Sequence, residues 1–353
     1  HHVAYGAIQR ASSKDRDYIT DGFLARTRGD EIPAQGYTVG VLLGYEDVTA
    51  KVEAYFKPKM TPRQRYDAFD KASKALVAAG EKAGPDVRCT LASMYSGNAY
   101  YLFTFKQIRD VRLVYAPPQD LGNFGGETDN WMWPRHTCDF SFLRAYVAPD
   151  GTAADFSPSN VPYKPKVWLK VALDGFKEGD FTFVMGYPGR TYRNYALAEL
   201  EADQENMAAR IKDPQDLIAF YEAAGRADKE VEIRYAGLVK GLYNGLKNRQ
   251  GKLEGFVKYG LVDKKAAQEK ELLDWIAADP ARTAKYGAAP AALEAFLARQ
   301  KAFGARTELL NGVLGGSTVL NQAYTIVRAV PELQKPEKDR EMAYQERNLP
   351  RIK

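Results

Sequence analysis

Cysteine is nearly absent: two residues in 353, Cys89 and Cys138, without C-x-x-C spacing. A zinc site is therefore not expected, nor any other cofactor, and two thiols leave the redox compartment open. Histidine is scarcer than usual as well, with only His1, His2 and His136 to perform any imidazole chemistry. No stretch approaches the ~18 apolar residues a membrane helix needs, so no membrane span is expected. Charge of one sign does not dominate either. Lys and Arg number 50 against 45 Asp and Glu, a net +5 spread along the chain with no basic stripe. Nucleic acid is thereby excluded as an expected partner. Repeats and low-complexity tracts are missing. The first methionine is Met60, so the sequence reads as a fragment, and the lack of a visible signal peptide leaves export open.

What is present is an ordinary globular composition, 45% hydrophobic, in a length that suggests two domains. The pattern changes character once. Up to about residue 192 it predicts strands with turn punctuation: Tyr37 to Leu43, Tyr100 to Phe105, Val111 to Tyr115, Phe140 to Val147, Val167 to Val171 and Phe181 to Met185. One helix interrupts them. Thr61-Pro62-Arg63-Gln64 has capping-box spacing with Pro in the first turn, and Tyr66, Phe69, Ala72 and Leu76 follow at helical spacing. From about 194 to 310 Ala, Leu, Glu and Lys recur at 3.6-residue period, as in Leu217, Phe220, Tyr221 and Ala224. Many short strands followed by a helical block predict a mixed β and α fold, a β-barrel domain over 1–192 and a helical domain over 193–353.

One run has neither period. G-G-E-T-D-N-W-M-W-P-R-H-T-C-D-F, residues 125–140, sets Trp131, Met132 and Trp133 side by side, and Pro134 forbids a continuing helix. A structureless, aromatic-rich segment points to a packed loop lining a site, with two tryptophans anchoring a loop on the core as the alternative.

This run and H-H-V-A-Y-G-A-I-Q at residues 1–9 together resemble the bacterial dipeptidyl-peptidases of serine-peptidase family forty-six. The resemblance extends to I-R-D-V-R-L-V-Y-A-P-P (108–118), G-D-F-T-F-V-M-G-Y-P-G-R-T (179–191), K-L-E-G-F (252–256) and Y-Q-E-R-N-L-P (344–350), and so covers nearly the whole chain. It implies a chymotrypsin-like antiparallel β-barrel with an α-helical cap domain, here incomplete. It also implies an enzyme that removes dipeptides from peptides with a free N-terminus, exported to the periplasm or secreted by a Gram-negative bacterium, and acting as a homodimer.

Serine hydrolysis needs a base to take the hydroxyl proton and a carboxylate to fix that base's tautomer. The resemblance maps the base to His2, with His1 as its structural neighbour, and the carboxylate to Asp139, with Asp129 as runner-up. His136 maps to no catalytic role. None of the nine serines sits in a G-x-S-G-type turn, so the nucleophile is expected beyond Lys353 and the fragment is expected to be inactive alone. A clamp for the substrate's terminal ammonium maps to Asn130, Trp131 and, in a less closely matching context, Asn244. Two departures stand out. Val3 occupies a position where relatives carry Cys, and Cys138 replaces a Gly; Cys138 reads as a small buried residue, with a free thiol beside the site as the alternative. Two other classes remain open, a trypsin-like endopeptidase of the HtrA type and a non-catalytic peptide-binding relative.

Overall fold

The computed structural model describes residues 2–183, 192, 194–346 and 348–349. His1, the Val184-Met185 end of the segment expected as a strand over Phe181 to Met185, and the G-Y-P-G-R-T end of its motif lie outside the described residues, while residues 181–183 run as irregular, exposed chain. The strands are β1 (Phe23–Leu24), β2 (Ile32–Pro33), β3 (Val39–Asp47), β4 (Val87–Met94), β5 (Ala99–Ile108), β6 (Asp110–Ala116), β7 (Phe142–Val147) and β8 (Val161–Pro162). The first helices are α1 (Tyr5–Ala11), α2 (Tyr18–Asp21), α3 (Thr49–Glu53), α4 (Pro62–Glu81) and α5 (Gln119–Gly122). After the last strand come α6 (Leu197–Ala209), α7 (Lys212–Ala227), α8 (Lys229–Tyr259), α9 (Leu261–Ala277), α10 (Pro280–Tyr286), α11 (Ala289–Gly316) and α12 (Thr318–Leu333). The chain is thus a mixed β and α protein, with antiparallel pairing of β1 and β2 to β6, of β3 and β4 to β5, and of β7 to β8.

Contacts divide it into two compact units whose segments alternate in sequence. One comprises His1–Asp30, Val114–Phe142 and Lys164–Ala302; the other comprises Glu31–Leu113, Leu143–Tyr163 and Phe303–Lys353.

In the second unit β3, β5 and β4 form an antiparallel sheet in that order. Helix α4 covers it, and its start is the capping box the sequence predicts. Thr61 Oγ1 accepts from the Gln64 backbone N–H at 3.2 Å, while Gln64 Oε1 accepts from the Thr61 N–H at 2.9 Å. Val48, Val52, Ala72, Val77, Cys89, Tyr100 and Leu102 make the core, with Phe69 and Leu76 packed against it. Tyr66 does not join them; it stays 62% exposed under the Arg63 guanidinium. Gly80 lets α4 approach the sheet closely, since a Cβ there would lie 2.6 Å from Cys89 Sγ. A second buried group is ionic. Asp110 accepts from Arg112 Nε at 3.0 Å, from Arg112 Nη2 at 2.7 Å and from Asn160 Nδ2 at 3.0 Å. The Arg112 guanidinium also lies 3.8 Å from the centre of the Tyr146 ring.

The segment Val167 to Val171 is not a strand. It runs as irregular chain with Val167 84% and Val171 74% exposed. Its β-branched and aromatic residues suit a strand, but no strand among the described residues pairs with it, and an extended segment without a neighbour leaves its backbone hydrogen bonds to water.

In the first unit α7 and α8 pack together, and α8 is the platform of the site. Asp228 caps its start by accepting from the Glu230 N–H at 2.8 Å. Gly260 ends it in the left-handed conformation at φ 55°, the usual helix-terminating geometry. The N-terminal segment is pinned to this helix. Gln9 Nε2 donates to the Ile233 and Arg234 carbonyls at 3.0 Å each, Glu230 Oε1 accepts from the Lys14 N–H, and Lys229 pairs with Asp17 at 2.9 Å. Gly237 makes room for this contact, because a Cβ there would fall 2.6 Å from Gln9 Oε1. Ala7 and Ile8 are buried beneath it. The Y-G-A-I-Q motif therefore docks α1 on α8, and by doing so places the residues just before it.

Candidate active site

Residues 123–141 contain no helix or strand, as their lack of period predicts. Two glycines open the loop at φ 75° and 53°. Gly125 tolerates no side chain, since its Cβ would sit 1.8 Å from Asp129 Oδ2. Trp131 is held at φ 61°, a conformation that costs a non-glycine residue free energy and persists only where neighbours hold it. The neighbour here is α8: Trp131 Nε1 donates to the Asn244 carbonyl at 3.0 Å. The tryptophans are not core anchors, Trp131 being 58% and Trp133 93% exposed. At its far end the loop is fastened to α5, where the Leu121 carbonyl accepts from the Cys138 N–H at 2.9 Å and from Thr137 Oγ1 at 3.2 Å. Tyr115 and Phe140 then pack with their ring centres 5.4 Å apart and their planes tilted by 32°.

Asp139 lies between these two fastenings, and His2 meets it at two points. Asp139 Oδ1 accepts from the His2 backbone N–H at 2.9 Å, and Asp139 Oδ2 bonds His2 Nδ1. Burial opposes ionisation of the Asp139 carboxyl but is outweighed by its hydrogen bonds, those from the His2 backbone and ring among them, which hold it well below the ordinary carboxylate range. With Nδ1 committed to a carboxylate, Nε2 carries the imidazole lone pair and is free to accept a proton. Asp129, the runner-up, is folded over Gly125 instead. His136 is exposed. Cys138 corrects an expectation: it is an exposed free thiol, because its backbone, not its side chain, makes the anchoring contact. Cys89 is the buried one.

The three clamp candidates also come together. Asn130 Nδ2 donates to Asn244 Oδ1 at 3.2 Å, across 114 residues of sequence, and Trp131 bonds the same residue's carbonyl. Around them stand residues that sequence reading missed. Arg135 Nη1 donates to Asn130 Oδ1 at 3.3 Å and Arg135 Nη2 to Asn123 Oδ1 at 3.1 Å. Glu127 Oε2 accepts from Asn130 Nδ2 at 3.2 Å, and Lys247 Nζ donates to the Glu127 carbonyl at 2.7 Å and to the Thr128 carbonyl. The only sequence signal for Glu127 and Arg135 was their position, charges of opposite sign bracketing Asp129-Asn130-Trp131.

A polar cavity of about 620 Å³ adjoins this network, lined by Tyr5, Asn123, Glu127, Tyr221, Lys240 and Tyr243 among others. Burial pushes the Tyr5 hydroxyl up to about 12, helped by Asp17, Glu127 and Glu232. Burial lowers Lys240, whose ammonium lies 5.2 Å from the centre of the Tyr5 ring. A hydrogen bond to Glu222 at 2.5 Å raises Tyr243 to about 12. A more apolar cavity of about 490 Å³, between Tyr195, Leu272, Trp275, Ile276, Tyr286 and Leu293, contains none of the site residues. No cluster of three or more metal-ligating side chains occurs among the described residues.

A histidine locked to a carboxylate beside an amide cluster is the kind of site a hydrolase builds, and comparison with known proteins gives the class. The family model described as Peptidase S46 matches residues 1–353, and the chain belongs to that family. It is 38% identical over 351 residues to the Asp/Glu-specific dipeptidyl-peptidase of Shewanella putrefaciens, covering 99% of this chain and 47% of that protein. It is 35% identical over 327 residues to dipeptidyl-peptidase 7 of Porphyromonas gingivalis, covering 92% and 45%. The crystal structure of Porphyromonas endodontalis DPP11 in complex with the dipeptide Arg-Asp is similar with a TM-score of 0.74 at 34% identity, over 93% of this chain and 46% of that one. The chain spans about half the length of the curated relatives it matches.

Proposed function

We propose that this chain supplies the base, the orienting carboxylate and the N-terminal clamp of a serine dipeptidyl-peptidase. The observation that carries the reading is the two-point contact between His2 and Asp139 in the same compact unit as the Asn130–Trp131–Asn244 cluster. In this mechanism a serine from outside these 353 residues attacks the scissile carbonyl, and His2 Nε2 takes its proton. Asp139 holds the tautomer with Nδ1 protonated and stabilises the imidazolium, and His2 then protonates the leaving amine. The cluster receives the substrate's terminal ammonium, which carries three donors and no acceptor. Gripping that group two residues from the cleaved bond makes the product a dipeptide. A clamp of this kind has no use in an endopeptidase, which argues against the HtrA-type reading. The resemblance further supports a chymotrypsin-like barrel for the strands, a capping role for the helices, export to the periplasm or medium, and a homodimer.

The test belongs in the full-length protein. His2→Ala abolishes dipeptide release from a free-amine peptide with melting temperature unchanged, and the wild type cleaves the N-acetylated form of that peptide poorly. Equal cleavage of acetylated and free peptides would favour an endopeptidase, and turnover undiminished by His2→Ala would remove the proposed base.

A further inference from the structure

We propose that Arg135 and Glu127 are positioning residues that lock the Asn130 amide in one orientation, and through it present Asn244 Oδ1 as the acceptor for the substrate's ammonium. This rests on the clamp reading above. An isolated asparagine amide can turn over, exchanging its oxygen and nitrogen at little cost. Here it cannot. The Asn130 oxygen faces a guanidinium, which only donates, and its nitrogen faces a carboxylate, which when ionised only accepts. A flip would set donor against donor on one side and acceptor against acceptor on the other.

The lock is itself fastened. Arg135 is steadied by its second bond, to Asn123 Oδ1, and the Glu127 backbone by the ammonium of Lys247. Both hydrogens of the Asn130 nitrogen are then spent, one on Glu127 and one on Asn244 Oδ1. That second bond transmits the direction, since a flipped Asn244 would point its own NH₂ at the NH₂ of Asn130. Asn244 Oδ1 keeps a further lone pair for a ligand, and the Asn244 carbonyl is held by Trp131 Nε1. No amide hydrogen of Asn130 is left to repel an arriving ammonium, and the Glu127 carboxylate adds a complementary charge one amide away.

The experiment measures, by calorimetry on the full-length protein, binding of a free-amine dipeptide and of its N-acetyl counterpart. Glu127→Gln can donate as well as accept, so it releases the lock. Its expected effect is a loss of roughly tenfold in affinity for the free dipeptide, the worth of about one charged hydrogen bond. Affinity for the acetylated dipeptide and melting temperature stay as in the wild type. In turnover KM rises while kcat holds, because the ammonium is gripped equally before and during reaction. Glu127→Asp restores most of the loss. Arg135→Lys, which keeps the charge but cannot serve both amides, gives the same selective loss and carries the test where Glu127→Gln does not fold. Equal weakening of both dipeptides, or full retention of the preference in both variants, overturns the inference while leaving the clamp standing. A wild type that binds the two dipeptides alike overturns the clamp itself.

Discussion

Replacing Asp139 by Asn is the most demanding test of the His2–Asp139 geometry, because the two side chains have nearly the same shape. The carboxylate accepts at both oxygens, from the His2 backbone N–H at 2.9 Å and from Nδ1. An amide can accept at one only. With its oxygen toward Nδ1, its NH₂ opposes the His2 backbone N–H; with its NH₂ toward Nδ1, the imidazole must carry its proton on Nε2 and can no longer act as a base. The second arrangement relieves the donor clash and is the expected one. A wrong-tautomer histidine with geometry intact loses roughly 10⁴ in kcat in the Ser-His-Asp mechanism, which is about 5 kcal/mol of transition-state stabilisation. The assay is initial-rate dipeptide release by the full-length protein, with melting temperature as the control for folding. A variant within tenfold of wild type would refute the reasoning and return the orienting role to another group. The pH dependence supplies an independent check. Asp139 is held below the ordinary carboxylate value of about 3.9. Its contribution to stability is therefore fully present above that value and is lost as pH falls from there through its lower folded value. Across neutral and mildly acidic pH it stays ionised, so the acid limb of kcat/KM reports a different group.

Two further outcomes concern the scaffold. Arg112→Ala leaves the Asp110 carboxylate buried without its partner, and breaking such a pair costs about 3–5 kcal/mol; denaturant unfolding measures it, and a loss below about 1 kcal/mol would show that the site admits water. Gln9→Ala removes two hydrogen bonds between α1 and α8, about 1–3 kcal/mol together. It is also expected to lower kcat more than it raises KM, because it loosens the placement of His2 and leaves the clamp residues untouched; a rise in KM alone would disconnect α1 from the base.

Local rules account for what was legible in advance. Thr61 and Gln64 cap α4 because the signal lies within four residues, and Pro134 and the glycine pair keep 125–140 out of helix and strand for equally local reasons. The switch from strands to helices follows from side-chain period, which each segment carries by itself. Where an outcome needed a partner, the pattern did not suffice. Val167 to Val171 has the β-branched and aromatic residues of a strand but no strand beside it among the described residues, and Tyr66 has helical spacing but stays exposed on α4. Cys138 shows the same limit, since its residue type suggested burial and its neighbours decided otherwise.

The sequence alone determined most of the long elements, the family motifs and the short list of groups able to do acid–base or ammonium chemistry, because these depend on residue identity and spacing. Only the tertiary structure decided which of them meet. His2 and Asp139 are 137 residues apart, and Asn130 and Asn244 are 114 apart. Their contact depends on α1 docking on α8 and on the loop being fastened to α5, and no local period records either. The direction of the Asn130 amide is a further step removed, for it follows from Arg135 and Glu127 facing its two ends at once. Hydrogen-bond polarity is a property of neighbours in space, and it becomes readable only after the chain has brought them together.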